Sequence, residues 1–585
     1  MDYKELYELW LTNPYFDEDT RKELEAIKDD NKEIEDRFYK ELDFGTGGLR
    51  GVLGMGTNRM NVYTVGKATQ GLANYINKKN GAEKGVAIAY DSRRMSPEFA
   101  SKAANCLNAN GIKTYIFPCL TPTPELSFAL RELGAIAGIV ITASHNPPEY
   151  NGYKVYWEDG AQITPPIDGD IIAEVRNVKD LAEIKSIDIN EAKVKGLYNV
   201  IGFDIDDKYT NALLGNCIEP EVIRSVADKI KIVYTPFNGT GNIPVRRVLS
   251  ELGFENVYVV KEQENPDPDF TTLDYPNPED PKAFTYALKL AKEKDADIIL
   301  ATDPDADRLG IYAKDAKTGE YVPFTGNMSA ILIADYLLSR RQERGLLHSR
   351  NAEITKADGK LGALVTTIVS TNMGRALAKD FDIDYIETLT GFKYIGEQIK
   401  FFEESGDRFY EFGFEESYGC LVGTHARDKD APSAVMSLCE VAAYEYSKGR
   451  TLVDRIHELY EKYGYYREGQ HSITMKGADG AKRINDIMET LRSNPPKEIA
   501  GFKALEIRDY STGVITDVAT GNTHPTGFPK SNVFYLELEN DAWVCSRPSG
   551  TEPKIKFYIG VRGTSVEDSK KLLNMLMESI INLVK

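Results

Sequence analysis

The run Ile136-Ala137-Gly138-Ile139-Val140-Ile141 is apolar without a break and stops at Thr142-Ala143-Ser144-His145-Asn146-Pro147. Such a run reads as a buried strand, and the Asn-Pro-Pro after it reads as a turn. The unit recurs along the chain. Short apolar runs at 86–90, 231–234, 297–300 and 364–367 alternate with helical patterns, for example at 281–294. Strands alternating with helices predict parallel α/β sheets. In such sheets, chemistry collects in the loops beyond the carboxyl ends of the strands. Ser144 stands in one of those loops.

The two ends of the chain read differently. Residues 1 to about 40 are charged and helical, with Asp17 or Asp19 as the N-cap of a helix at 21–34. Near the other end, strands at 534–538, 542–545 and 555–559 are closely spaced. A helix with apolar Leu572, Leu573, Leu576, Ile580 and Leu583 closes the chain, an α+β pattern. A length of 585 residues suggests about four domains. Boundaries fall near 205, 320 and 447. The divisions are 1–40, a helical extension, then 41–205, 206–320, 321–446 and 447–585.

Charge narrows the partners. A formal net charge of -19 disfavours nucleic acid and an anionic membrane surface. It still permits a small phosphorylated ligand, because a few local cations can override the global field. The first residues are not a signal peptide, and no run of about 18 apolar residues predicts a membrane span. The cysteines at 106, 119, 217, 420, 439 and 545 lack CxxC spacing and read as buried, reduced thiols of a cytosolic protein.

Five loops carry reactive groups. A lone serine in a turn is usually a turn residue, and no GxSxG elbow surrounds Ser144. Asp303-Pro304-Asp305-Ala306-Asp307-Arg308 follows another strand. Its alternate aspartates can turn three carboxylates toward one hard cation, and Mg²⁺ prefers such oxygen ligands. An EF-hand would need Gly and Glu where Arg308 and Lys314 stand. Arg308 itself can hold a carboxylate or a phosphate. Glu415 and Ser417, in Phe414-Glu415-Glu416-Ser417-Tyr418-Gly419, suit sugar hydroxyls, although a Glu-Glu pair is also a common surface feature. Arg547-Pro548-Ser549-Gly550-Thr551-Glu552-Pro553-Lys554 has the composition of a phosphate cradle between strands. Thr424-His425-Ala426-Arg427-Asp428-Lys429-Asp430 reads as an exposed charge run. His425 and Lys429 are its groups with proton-transfer chemistry.

In this order, and with Phe44-Gly45-Thr46-Gly47-Gly48-Leu49-Arg50-Gly51 at the start, these loops resemble the α-D-phosphohexomutase superfamily of phosphoglucomutases and phosphomannomutases. The resemblance spans nearly the whole chain. With Asn151-Gly152-Tyr153-Lys154 behind the serine loop, it looks most like the phosphoglucomutase-2 type, a branch that includes phosphopentomutases. The resemblance implies four domains around a central cleft, three similar α/β domains with mixed sheets and an α+β fourth. These would be phosphoserine, metal-binding, sugar-binding and phosphate-binding domains in turn. It implies that Ser144 is the phosphoserine and that Asp303, Asp305 and Asp307 hold Mg²⁺, with the seryl phosphate as a further ligand. Arg50 and His145 would serve catalysis beside it. Lys154, Arg308, Gly391, Lys393, Glu415, Ser417, Arg427, Arg547, Ser549, Gly550, Thr551 and Lys554 would bind substrate.

One departure stands out. Some relatives place a histidine four residues after the sugar-loop glutamate, where this chain has Gly419. Others use a lysine in an Arg-x-Lys-Asp stretch, matched by Arg427-Asp428-Lys429-Asp430. Lys429 is therefore the expected general acid/base, with His425 next. The implied reaction interconverts glucose 1-phosphate and glucose 6-phosphate through glucose 1,6-bisphosphate, which also serves as activator. Phosphomannomutase or phosphopentomutase activity and a serine-dependent metallophosphatase are the alternatives. The sequence places the chain in the cytoplasm and leaves its oligomeric state open.

Overall fold

The computed structural model of the chain describes residues 2–45, 47–475, 477–549 and 554–584. It separates into two compact units. The first comprises Met1–Ser329, Phe392–Glu404 and Ser417–Thr451; the second comprises Ala330–Gly391, Ser405–Glu416 and Leu452–Lys585.

The first unit contains two mixed sheets. Strands β1 (Gly48–Val52), β2 (Val86–Tyr90), β3 (Thr114–Ile116), β4 (Ala137–Ile141), β5 (Tyr150–Trp157) and β6 (Tyr198–Val200) lie in the order β1-β5-β4-β2-β3-β6. β2 runs parallel to β3 and β4, whereas β5 is antiparallel to β4 and β1. The unbroken apolar character of β4 follows from burial on both sides. Ile139 and Ile141 join a core with Leu72, Phe99 and Leu107. Val140 joins another with Leu126 and Leu130 of the helix Thr123–Leu133. The second sheet consists of β7 (Lys231–Thr235), β8 (Asn256–Val259), β9 (Ile298–Thr302), β10 (Leu309–Lys314) and β11 (Tyr321–Phe324), ordered β11-β10-β9-β7-β8. Ser144 follows β4 and Asp303 follows β9, so both reactive loops sit at strand ends.

In the second unit, β12 (Leu361–Thr367) pairs in parallel with β13 (Asp384–Thr388) and β14 (Arg408–Glu415). The short β15 (Gly419–Leu421) belongs to the first unit. The remaining strands form one antiparallel sheet. They are β16 (Tyr465–Thr474), β17 (Glu498–Ile499), β18 (Phe502–Asp509), β19 (Val514–Asp517), β20 (Thr523–Pro525), β21 (Phe534–Leu538), β22 (Trp543–Pro548) and β23 (Lys554–Gly563). The α/β and α+β halves expected from the sequence are thus both present.

Several local expectations change. The helix predicted at 21–34 is two helices, Glu18–Glu25 and Asn31–Phe38. Asp17 caps the first, and Asp30 caps the second by accepting from the amides of Lys32 and Glu33. A second strong cap inside the charged stretch breaks the helix. The pattern at 281–294 opens as a 3-10 turn, Pro281–Phe284, before the helix Thr285–Lys294. In the last helix Leu583 is exposed, and Val584 takes the buried place instead. The cysteines form no disulfide among the described residues, but Cys119 is exposed rather than buried. No described helix is long and apolar enough to cross a membrane.

The N-terminal extension is fastened by aromatic packing. Trp10 stacks on Phe16 at 4.3 Å between ring centroids and meets Tyr63 edge-on at 5.4 Å. Tyr63 lies in the first turn of the helix Val62–Lys78, which packs against the serine-bearing sheet. Arg37 adds ion pairs to Glu23 at 2.6 Å and Glu33 at 2.7 Å. Removal of a buried tryptophan typically costs about 3–5 kcal/mol. Trp10→Ala should therefore lower the unfolding free energy of the first unit, read from urea denaturation, by that order; an unchanged free energy would mean that the extension is only loosely attached.

Candidate active site

Ser144 sits just past β4 with φ at 50°, a left-handed conformation that a serine rarely adopts. Its amide donates to Thr142 Oγ1 at 2.8 Å, and Thr142 Oγ1 donates to Asp91 Oδ2 at 2.6 Å. Arg93 completes the support. Its buried guanidinium donates to four carbonyls of the serine loop: Pro147 at 2.8 Å, Tyr150 at 3.0 Å, and those of Ser144 and Asn146. Asp91 faces Arg93 Nε at 3.3 Å. Burial pushes the Asp91 carboxyl above its ordinary value, against the pull of Arg93 and Thr142. Strain at Ser144 persists because so many bonds specify the loop.

The aspartate loop meets the serine directly. Ser144 Oγ donates to Asp303 Oδ2 at 2.7 Å, and His145 Nδ1 lies 3.2 Å from the same hydroxyl. Asp303 Oδ1 accepts from the amides of Asp307 and Arg308, each at 3.1 Å, closing the loop around Ala306 at φ 51°. Thr123, at the start of the helix Thr123–Leu133, donates its hydroxyl to Asp305 Oδ2 at 2.7 Å and its amide to the Asp305 carbonyl at 2.9 Å. The positive end of that helix therefore faces the carboxylates. Behind the loop, a Cβ on Gly239 would lie 2.4 Å from Pro304 Cα, so only glycine permits this approach.

Cations surround the triad. Lys154 Nζ, from β5, lies 2.7 Å from Asp305 Oδ2 and 3.2 Å from Asp307 Oδ2. Lys429 Nζ reaches Asp307 Oδ2 at 3.2 Å and Asp428 Oδ1 at 3.1 Å. Burial drives the Asp303 carboxyl well up, reinforced by the charges of Asp307 and Asp305. Burial also opposes ionisation of Asp307, but Lys429, Lys154 and Arg308 outweigh it and hold that carboxyl far below the usual range. Burial and the nearby Arg308 and Arg50 keep His145 well below the ordinary histidine value, so its ring is neutral near pH 7.

The triad fits a hard divalent cation. Its three aspartates are buried and offer oxygens within 4.8 Å of one another. Asp305 Oδ1 and Asp307 Oδ1 are buried without a hydrogen-bond partner among the described residues. Buried carboxylate oxygens are seldom left unsatisfied, and an all-oxygen donor set suits Mg²⁺.

The stretch 424–430 is not the exposed charge run expected from its composition. Ala426, Arg427, Asp428 and Asp430 are buried. Arg427 donates to the Thr424 and Ala426 carbonyls and pairs with Glu403, so its guanidinium builds the loop rather than reaching for a ligand. His425 is engaged at both nitrogens: Nε2 lies 2.7 Å from Asp430 Oδ2, and Nδ1 lies 3.5 Å from Asn216 Nδ2. Tyr209 donates to the same Asp430 oxygen at 2.9 Å. That network points His425 at structure and leaves Lys429 beside the carboxylates.

Other expected residues are placed as follows. Arg50 Nη1 donates to Asn146 Oδ1 of the serine loop at 3.3 Å. Arg308 pairs with Glu279 at 2.8 Å. Lys393 donates to the Ile163 carbonyl at 3.4 Å. Ser417 precedes Tyr418, another residue at positive φ (67°), whose carbonyl accepts from the Leu309 amide at 3.0 Å. In the second unit, Gly391 has φ at 117° and Glu415 is buried at the end of β14. Arg547 stands in β22 opposite Lys556 of β23, and Ser549 donates its amide to the Lys554 carbonyl at 2.7 Å. Gly550 and Thr551 lie outside the described residues.

Arg93 and Thr123 escaped the sequence reading, as did the loop at 235–241. An arginine two residues after a strand-end aspartate was the available signal for the first. Arg93→Lys cannot reproduce a forked guanidinium on four carbonyls. Hydrogen exchange across 144–150 should then quicken by about tenfold or more while β4 stays protected. Unchanged exchange would remove Arg93 from this role.

Comparison with known proteins agrees with the geometry. Models of the phosphoglucomutase/phosphomannomutase alpha/beta/alpha domains I, II and III match residues 41–182, 207–318 and 325–463. A phosphoglucomutase of Staphylococcus aureus (strain USA300) is 36% identical over 550 residues, covering 94% of this chain and 95% of that one. Among solved structures, a putative phosphomannomutase from Thermus thermophilus matches with a TM-score of 0.66 at 22% identity, covering 93% of this chain and 99% of its own. The open form of the Paramecium phosphoglucomutase pp63/parafusin also gives 0.66, at 18% identity and with 93% and 94% covered. The two structures speak for the fold. The domain matches and the Staphylococcus relative carry the conclusion that this chain belongs to the phosphoglucomutase/phosphomannomutase family.

Proposed function

We propose that this protein is a phosphoglucomutase that interconverts glucose 1-phosphate and glucose 6-phosphate through a phosphoserine at Ser144. The observation that carries the reading is the Ser144 Oγ to Asp303 bond of 2.7 Å, made to a buried triad with two unsatisfied oxygens. A phosphoryl group on that oxygen would stand where an oxygen-liganded cation can neutralise it. The curated relative named phosphoglucomutase supports glucose as the sugar.

In the first half-reaction, the phosphorus–Oγ bond of phosphoserine 144 breaks as the phosphorus bonds to the free hydroxyl oxygen of the sugar phosphate. The hydroxyl proton passes to the Lys429 side chain, which acts in its uncharged amine form beside Asp307 and Asp428, and it returns to the sugar oxygen released in the second half-reaction. The product, glucose 1,6-bisphosphate, then returns its other phosphoryl to Ser144, and it doubles as activator by phosphorylating the free serine. Asp303, Asp305 and Asp307 would hold Mg²⁺, which supplies charge neutralisation at the transferring group. Lys154, Arg50 and Arg308 orient the reacting phosphate, and His145, neutral, supports the Ser144 hydroxyl. Glu415, Ser417 and Lys393 are the proposed sugar contacts. Arg547, Ser549 and Lys554 form the proposed grip on the phosphate that does not react, in the last of four domains bounded near 205, 320 and 447. Six unpaired cysteines among the described residues support a reducing, cytoplasmic setting.

Ser144→Ala should take up no label from ³²P-glucose 1,6-bisphosphate and show no conversion of glucose 1-phosphate; turnover at the normal rate in that variant would sink the reading. Lys429→Met should lower kcat by about 10²–10⁴-fold, the range for losing a general acid/base, with KM nearly unchanged. Release of inorganic phosphate in place of isomerisation would assign the chain to the phosphatases instead. Relative kcat/KM on glucose 1-phosphate, mannose 1-phosphate and ribose 1-phosphate should favour the first.

A further inference from the structure

Gly419 opens β15, four residues beyond Glu415. It is buried, and its backbone is ordinary strand, so the position does not use glycine's conformational freedom. What it uses is space. A Cβ built on Gly419 would lie 2.0 Å from Lys429 Cδ, 2.6 Å from Cγ and 3.2 Å from Cε. Even the smallest side chain therefore needs the volume that the middle of the lysine occupies. The lysine has little freedom to yield it. Its ammonium is held at Asp307 and Asp428, it lies 5.7 Å from the centroid of the Phe392 ring, and its side chain is only 12% exposed. The backbone on either side is fixed too, because the Asp430 amide donates to the Cys420 carbonyl at 2.8 Å, locking β15 to the segment that carries Lys429.

We propose that Gly419 is a positioning residue for Lys429: the absent side chain is the channel through which the lysine reaches the aspartate triad. Residue 419 and residue 429 compete for one volume, so this chain can carry a functional side chain at only one of them. The inference deepens the mutase reading, on which its kinetic arm rests. Its structural arm stands on packing alone.

A double-mutant cycle tests it with four proteins: wild type, Gly419→Ala, Lys429→Ala and the double variant. With Lys429 present, Gly419→Ala should lower kcat for glucose 1-phosphate by about 100-fold, as a misplacement near 1 Å can. KM should hold, and the melting temperature should fall as the lysine is forced off its partners. With Lys429→Ala, the space is vacated. Gly419→Ala should then change kcat by no more than about twofold, the level at which independent sites add, and leave the melting temperature in place. Equal effects in both backgrounds, or full activity in Gly419→Ala, would overturn the proposal. If wild type fails to isomerise glucose 1-phosphate, the mutase reading falls, while the melting cycle still decides whether the two residues share one volume.

Discussion

Three carboxylates in the interior of a protein repel one another and lose their hydration. Asp303, Asp305 and Asp307 are almost fully shielded from solvent, and the serine-bearing unit is organised around compensating them. Lys154 arrives from β5 and Lys429 from the buried stretch before the helix Ala431–Ser447. Thr123 comes from the start of a helix, and Ser144 from the end of β4. Each element supplies what one oxygen needs, and thereby becomes fixed against the same loop. Asp305 Oδ1 and Asp307 Oδ1 have no such hydrogen-bond partner among the described residues. With one oxygen from each aspartate within 4.8 Å of the others, the cluster could hold a single cation.

Backbone strain is found in these loops as well as elsewhere in the chain. Ser144, Ala306 and Tyr418 all have positive φ, and each lies in a loop identified from sequence as reactive. Such conformations hold only where the surroundings over-determine them. At Ser144 that role falls to Arg93, whose single planar group binds four carbonyls at once. The arginine binds backbone carbonyls of the loop that carries the serine. Residues of this kind hold reactive groups to within fractions of an ångström.

The aspartates stood out from residues alone, because a strand, a turn and three alternate carboxylates coincide in a few consecutive positions. Ser144 by itself read as a turn residue, and only the family resemblance singled it out. β2 and β21 fall where their apolar runs do, at 86–90 and 534–538. What escaped was long-range. The place of Arg93 two residues after a strand-end aspartate was a signal, but it does not say which carbonyls, more than fifty residues away, the arginine meets. Nothing in Thr123 points to Asp305. Composition misjudged 424–430, because charges that look solvated are buried when each finds a partner, as Arg427 does with Glu403 and Asp430 with His425. Gly419 was noticed for the side chain it lacks, but what fills that place, the stem of Lys429, is a fact of packing. The charged N-terminus misled for a simpler reason: Asp30 starts a second helix where periodicity alone continues the first.

The buried triad has the donor set for one divalent cation. Calorimetric titration of Mg²⁺ into the metal-free protein tests it most directly, with Asp305→Ala as the comparison and circular dichroism to show that both proteins are folded. One site per chain, lost in the variant, is the predicted result. Absence of binding to the wild type, or equal binding to the variant, would contradict it.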